Sequence, residues 1–307
     1  MIYTTTLNPS IDYIAYVSDF EIGIMNRCQD SQYYPGGKGI NVSMVLNTLG
    51  LDNVALGFVA GFTGCEIEKM LKDSGCHTDF IHLKQGCSRI NVKIKSTEES
   101  ELNGNGPVIT NEALEFLYQK FEALKEGDLL ILSGSIPESL SPDIYAKIME
   151  RCQNKNIEII VDASGPLLMN TLKYHPYLIK PNNFELAECI GKTLNLKEDF
   201  IVGAKELHRL GAKNVMVSLG AQGALLLDET GKIHECPAPK GKAINSTGAG
   251  DSMIAGFLKG RSESEDMTHA LEMAVAAGSA TTFSMSLATI DEVTAQLKNI
   301  QEKKSNQ

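Results

Sequence analysis

"DLLILSGSIPESLSPDIYAKIMERCQNKNIEIIVDAS", residues 128–164, is two short apolar runs around a longer amphipathic one. The outer runs, 128–134 and 158–164, carry Leu, Ile and Val without alternation, as strands buried on both faces do. The middle run, 141–156, has helical spacing, with Ser141 placed to cap it and Pro142 in its first turn. Strand, helix, strand at this spacing reads as a βαβ unit, which implies a parallel sheet covered on both sides.

The same rhythm extends in both directions. Strand-like runs recur at 2–7, 53–60, 89–95, 177–182, 214–220 and 223–229, the last two reading as a hairpin. Helical spacing recurs at 111–127, where Ala113, Leu114, Leu117, Phe121 and Leu124 fall three or four apart, and at 197–211. Two segments break the rhythm. Residues 12–34 and 85–107 are more polar and alternate more clearly, which predicts a small extra sheet beside the main one. No Pro-, Gly- or Ser-rich linker divides the chain, so residues 1–307 are expected to form one α/β domain. The tail 301–307 is expected to fray.

Composition narrows the function. The chain has 28 basic and 38 acidic residues, a net charge of −10. So acidic a chain is a poor candidate for nonspecific nucleic-acid binding, and an anionic substrate would need a few local cations. Its seven cysteines include no C-x-x-C pair, which argues against a disulfide framework or zinc site and for a reducing compartment. The first residues lack a signal-peptide pattern and no run approaches 18 apolar residues, so the cytoplasm is the expected location and no membrane is expected as a partner. There is no G-x-x-x-x-G-K-[ST], G-x-G-x-x-G or H-E-x-x-H, and the six histidines are scattered.

Four stretches could carry chemistry. In "NSTGAGDSM" (245–253) Asp251 follows Gly248, Ala249 and Gly250 where a helix begins. It reads either as a helix cap or as a reacting acid beside an anion site of free amides. In "PGGKGINVSMVLNTLG" (35–50) Gly36, Gly37 and Gly39 allow tight turns or close ligand approach around Lys38 and Asn41. Arg89, Lys93 and Lys95 share one face of a strand, as a solvated edge or as a phosphate clamp. In "KPNNFELAE" (180–188) Asn182 and Glu185 have the spacing of a capping box.

Together these stretches, with "LSGSIP" (132–137) and "VSLGAQGA" (217–224) between them in order, resemble the ribokinase-like sugar kinases of the PfkB family across nearly the whole chain. The resemblance implies a ribokinase-like fold: a mainly parallel central sheet with helices on both faces and a small β-sheet lid, inserted at about 12–34 and 85–107. It implies ATP and Mg²⁺ as cofactors and a ketose phosphate as acceptor. That acceptor is first fructose 1-phosphate, phosphorylated at its 6-hydroxyl, with tagatose 6-phosphate as the alternative. A noncatalytic sugar-phosphate sensor is a further rival, and the intact Asp251 with its glycine run argues against it.

Roles follow from the resemblance position by position. Asp251 would be the catalytic base, with Gly248, Ala249 and Gly250 supplying amides to the developing charge. Asp12, Gly36, Gly37, Lys38 and Asn41 would bind the sugar phosphate, with Arg89 its main cation and Arg27 assisting. Lys180, Asn182, Ser218, Gly220, Gly223 and Gly250 would serve ATP, with Gly278 and Ser279 near the adenine. Glu185 would arrange Mg²⁺ through water. The lid would also serve as a homodimer contact. One tension attends Asp251: a carboxylate at a helix N-terminus should ionise easily and be a weak base.

Overall fold

The computed structural model describes residues 1–305. In chain order the strands are β1 (Ile2–Thr6), β2 (Ser10–Tyr16), β3 (Asp30–Gly36), β4 (Asn53–Ala60), β5 (His77–Thr78), β6 (Ile81–Leu83), β7 (Arg89–Lys95), β8 (Ser100–Asn103), β9 (Leu129–Ser133), β10 (Glu158–Asp162), β11 (Leu178–Ile179), β12 (Asn214–Ser218), β13 (Ala224–Leu227) and β14 (Ile233–Cys236). The helices are α1 (Lys38–Thr48), α2 (Gly61–Asp73), α3 (Asn111–Glu122), α4 (Ile144–Cys152), α5 (Gly165–Met169), α6 (Asn183–Ile190), α7 (Lys197–Arg209), α8 (Ala249–Glu263), α9 (Met267–Phe283) and α10 (Ile290–Ser305).

The large sheet has the order β14-β13-β12-β11-β10-β9-β1-β4-β5, with β6 also pairing to β4. Pairing is parallel from β5 through to β12, and β13 and β14 close one edge antiparallel. The unalternating apolar runs follow from two cores. Leu130 and Leu132 of β9 pack in one with Leu117 and Phe121 of α3, Ile148 of α4 and Leu207 of α7. Leu129 and Ile131 of the same strand pack in the other with Val45 of α1, Phe257 of α8 and Ala274 of α9. Each such side chain, fully buried, contributes about 1.5–3 kcal/mol relative to exposure. A charge on either face would therefore be costly, which explains why these strands carry so few.

Some boundaries differ from the sequence reading. Helix α4 starts at Ile144 behind Asp143, and Ser141 lies in the preceding turn, its carbonyl accepting the Ile144 amide at 3.0 Å. Pro142 disfavours helical backbone at Ser141, so the cap shifts inward. The run at 177–182 forms a regular strand only over Leu178–Ile179, because Pro181 cannot donate to the ladder, and pairing resumes in a single bridge of Asn182 to Ser218. Helix α10 continues through most of the expected frayed tail to Ser305, and 306–307 lie outside the described residues. Among the described residues, no helix is long and apolar enough to cross a membrane.

The two polar segments build a second sheet, β3-β2-β7-β8. Asp12 sits opposite both Tyr34 and Asn91, and Tyr13 opposite both Tyr33 and Val92. Alternation gives this sheet a polar face with Asp12, Asn91 and Lys93 and an apolar face with Tyr13, Tyr33, Ile90, Val92 and Leu102. The polar face lines a cavity against the large sheet. The apolar face points away, with Tyr33 58%, Ile90 42% and Leu102 71% exposed.

Candidate active site

The cavity measures about 770 Å³ and lies at the carboxyl ends of the parallel strands, lined by Thr6 of β1, Gly134 after β9, Lys180 after β11 and Ser218 of β12. Ligands of open α/β sheets bind at this edge. The N-termini of α1 and α8 open onto it, and four cations converge there in an otherwise acidic chain: Lys38, Arg89, Lys93 and Lys180.

Asp251 is not a cap. Gly248 holds the N-cap position of α8 in the left-handed region, φ 79°, and no side chain caps this helix. Asp251 lies in the first turn, 5% exposed, and its Oδ2 accepts a 2.7 Å bond from Asn41 Nδ2 of α1. Burial, and then the negative charge of Asp162, push its pKa up to about 6; Lys38, the Asn41 bond and Lys180 pull the other way. The expectation of an easily ionised, weak base is therefore reversed. Desolvation outweighs the helix N-terminus. Of the three amides expected to face a developing charge, that of Ala249 is engaged by Ser246 O at 3.3 Å. Gly248 and Gly250 line the cavity.

Asp162, at the end of β10, is the residue the sequence reading missed. Its Oδ1 lies 3.2 Å from Lys38 Nζ and 3.4 Å from Lys180 Nζ, and its side chain is fully buried. The two ammonium groups hold its carboxyl below the ordinary value despite burial, and Asp162 in turn raises the pKa of Lys38. The available signal was one acid ending the apolar run "EIIVDAS". A charge there requires a partner.

Asn182 and Glu185 do form a capping box on α6. Asn182 Oδ1 accepts from the amides of Phe184 and Glu185, and Glu185 Oε2 accepts from the Asn182 amide at 2.8 Å. The box leaves Glu185 Oε1 facing Lys38 Nζ at 3.9 Å. The capping reading of this motif therefore holds, and it leaves one Glu185 oxygen outside the box. Among the described residues, no three His, Cys, Asp or Glu side chains cluster closely enough to hold a metal directly. Asp162 Oδ2, however, is buried without a hydrogen-bond partner among the described residues, and both Asp162 Oδ1 and Glu185 Oε1 face Lys38. Such a donor set fits a hard cation that keeps its waters and takes other ligands from phosphates, as Mg²⁺ does.

The small sheet supplies the rest. Asp12 Oδ1 accepts from Ser10 Oγ at 2.7 Å and Asn91 Nδ2 at 2.9 Å, and Oδ2 pairs with Lys93 at 3.2 Å. Gly36 is required here, since a Cβ would lie 2.4 Å from Asp12 Oδ1. Gly37, φ 122°, starts α1 and lines the cavity beside Lys38 and Asn41. Arg89 donates Nε to Asn8 O at 3.1 Å and, among the described residues, has no carboxylate within salt-bridge distance; burial lowers its pKa. Lys95 instead pairs with Glu99 at 2.5 Å.

Other expected residues are not brought into this cavity. Arg27 is exposed in the 17–29 connection between β2 and β3. Asp12 lies near the other end of β2, so a strand length of roughly 15–20 Å separates that connection from the site. Gly220, φ 57°, is exposed at the hairpin turn. At Gly223 a Cβ would lie 2.1 Å from Cys236 O, so the turn itself requires glycine. At Gly278 a Cβ would lie 2.6 Å from Met253 Cγ, so the α8–α9 crossing requires it. Ser279 is partly exposed on α9, also outside the cavity lining.

A buried acid at a helix N-terminus, paired lysines and an unpaired arginine around one cavity are the make-up of a phosphoryl-transfer site, where positioning and charge stabilisation do most of the work. The chain belongs to the pfkB family of carbohydrate kinases, whose profile matches residues 5–294. It is 44% identical to the 1-phosphofructokinase of Bacillus subtilis, covering 97% of each chain. It is 39% identical to the D-tagatose-1-phosphate kinase of Bacillus licheniformis, covering 98% of this chain and 99% of that one. Phosphofructokinase-2 from Escherichia coli, solved with substrates and products, superposes with a TM-score of 0.92 at 28% identity, covering 98% of this chain and 99% of that one. The chain is thus a sugar kinase of ribokinase-like fold, and its family implies ATP as the phosphate donor.

Proposed function

We infer that this kinase transfers the γ-phosphate of ATP to the 6-hydroxyl of D-fructose 1-phosphate, giving fructose 1,6-bisphosphate and ADP. The observation that carries the reading is Arg89, a half-buried guanidinium without a carboxylate partner, facing the same cavity as the buried Asp251. The first suits an anionic group on the acceptor, and the second suits its reacting hydroxyl.

Asp251 takes the proton of the attacking hydroxyl as the bond to phosphorus forms, and Asn41 keeps its carboxylate oriented. A pKa near 6 leaves it ionised at neutral pH yet more basic than a free aspartate. The α8 N-terminus at Gly248 and Gly250 stabilises charge on the transferred group, and Lys38 and Lys180 bind the phosphate oxygens. Asp162 and Glu185 would hold Mg²⁺ through water, and the ion would neutralise charge on the ATP phosphates. Asp12 binds the sugar, and the small sheet acts as a lid that keeps water from competing for the γ-phosphate.

A second acceptor reading, D-tagatose 1-phosphate, is favoured by the relative of that name. Like fructose 1-phosphate it presents a C1 phosphate and a C6 hydroxyl, and it differs only at C4. It displaces tagatose 6-phosphate as the nearest rival. A coupled assay across all three sugar phosphates should give the highest kcat/KM with fructose 1-phosphate. A higher value on either tagatose phosphate would overturn the assignment.

Arg89→Ala should raise the KM for the sugar phosphate about tenfold to a hundredfold, as loss of a charged hydrogen bond does, while the KM for ATP stays near wild type. Initial rates at varied sugar and fixed ATP check this. The exposed apolar face of the lid, with Tyr33, Ile90 and Leu102, supports a homodimer formed through it, and sedimentation of a Leu102→Glu variant tests that contact.

A further inference from the structure

We propose that Lys93 is a positioning residue that latches the small sheet to the start of α8 and sets the sugar-binding carboxylate of Asp12. Its ammonium group lies 3.2 Å from Asp12 Oδ2 and 3.4 Å from Thr247 Oγ1, the residue before the Gly248 cap. The Lys93 and Asp12 side chains are 12% and 15% exposed, so water screens the pair little. The contact crosses from β7 to the loop that leads into the catalytic helix, spanning 154 positions in sequence.

Three groups contact the Asp12 carboxylate directly, and they divide its oxygens. Ser10 and Asn91 occupy Oδ1, and Lys93 occupies Oδ2. Lys93 thus fixes the carboxylate's rotation and offsets its charge in a cavity that Asp251 also lines. Lys93 also forms part of a wall. With Asp12, Asn41 and Thr247 it separates the main cavity from a smaller one of about 300 Å³ lined by Ile14, Met44, Met285 and Leu287. Without the latch, the sheet would lose its tie to the loop and the partition would open, admitting water to the reacting groups. Arg89, four residues earlier on β7, is bonded to the Asn8 carbonyl and not to Asp12, so the two cations that β7 sends into the cavity have separate tasks.

The proposal rests on the sugar-phosphate kinase reading. Steady-state rates and sugar-independent ATP hydrolysis would be measured for the wild type, Lys93→Met and Lys93→Arg. Lys93→Met should raise the KM for fructose 1-phosphate about tenfold, leave the KM for ATP unchanged and raise hydrolysis relative to sugar phosphorylation. Lys93→Arg should restore most of the loss. In a double-mutant cycle, Lys93→Met should add little to Asp12→Asn, because it acts through that carboxylate, and should multiply with Arg89→Ala. An unchanged sugar KM in folded Lys93→Met, or full additivity with Asp12→Asn, would overturn the latch. A wild type inactive on every ketose phosphate would overturn the functional reading and the latch with it.

Discussion

Asp251→Asn is expected to lower kcat by about 10²- to 10⁴-fold, the range a positioned general base contributes. ATP binding should persist, because Lys38, Lys180 and the α8 N-terminus are untouched. The same variant should be more stable than the wild type. In the folded wild type, burial and Asp162 raise this carboxyl from its ordinary 3.8 to about 6. Between those values the folded state holds a proton that the unfolded chain has lost, so wild-type stability falls as pH rises across the window and stays reduced above it. The substituted amide carries no such charge, and its oxygen can still accept from Asn41. The gain above pH 6 is up to about 3 kcal/mol, and it should vanish below about pH 4. Thermal melts at pH 4 and 7 check the sign, and equal melts at both would refute it. Wild-type kcat/KM should correspondingly rise through about pH 6 and level off above it.

Asp162→Asn should have the largest effect on the fold. It leaves Lys180, 4% exposed, and Lys38 beside a neutral amide. Breaking a buried pair by removing one partner costs about 3–5 kcal/mol, since the remaining charge stays desolvated. Because the carboxyl's pKa is depressed in the folded state, the wild-type stabilisation is present above its ordinary value of 3.8 and is lost as pH falls through the folded value. Urea denaturation of both proteins at neutral pH measures the difference. A second readout separates charge from packing. Removing the Asp162 charge should draw the acid limb of kcat/KM below its wild-type position, as a like charge near Asp251 disappears. An unmoved limb would show that Asp162 acts only through the lysines.

The large sheet was legible in sequence because each of its central strands feeds two cores, which leaves an unbroken apolar signature in β9, β10 and β12. The small sheet was legible as an exception to that pattern, but not which way it faced. Amphipathic alternation gives two faces and no direction, and here the polar one turns inward. Asp251, Lys38 and Asn41 were legible because glycines mark their turns. Asp162 was not, since its meaning comes from Lys38 and Lys180, which stand 124 positions before it and 18 after it and meet only in the folded chain. Arg27 was assigned by the resemblance alone, and the strand pattern does not say which end of β2 faces the site; its connection leaves the far end. The resemblance placed Gly223 and Gly278 at the nucleotide, and a side chain at either would meet the chain's own backbone and side chains. Glycine records a close approach without recording what approaches.

The inverted small sheet ties two equilibria together. Apart from Ile11, which packs against the domain, its apolar side is largely exposed at Tyr33, Ile90 and Leu102, so closing over the sugar and the proposed association with a second copy would draw on opposite faces of the same strands. Whatever orders one face orders the other. By linkage, substrate should tighten self-association, and self-association should tighten substrate by an equal factor. The affinity of this enzyme for its sugar would then depend on how much of the enzyme is present, a property set by four short strands that contribute little to the main core.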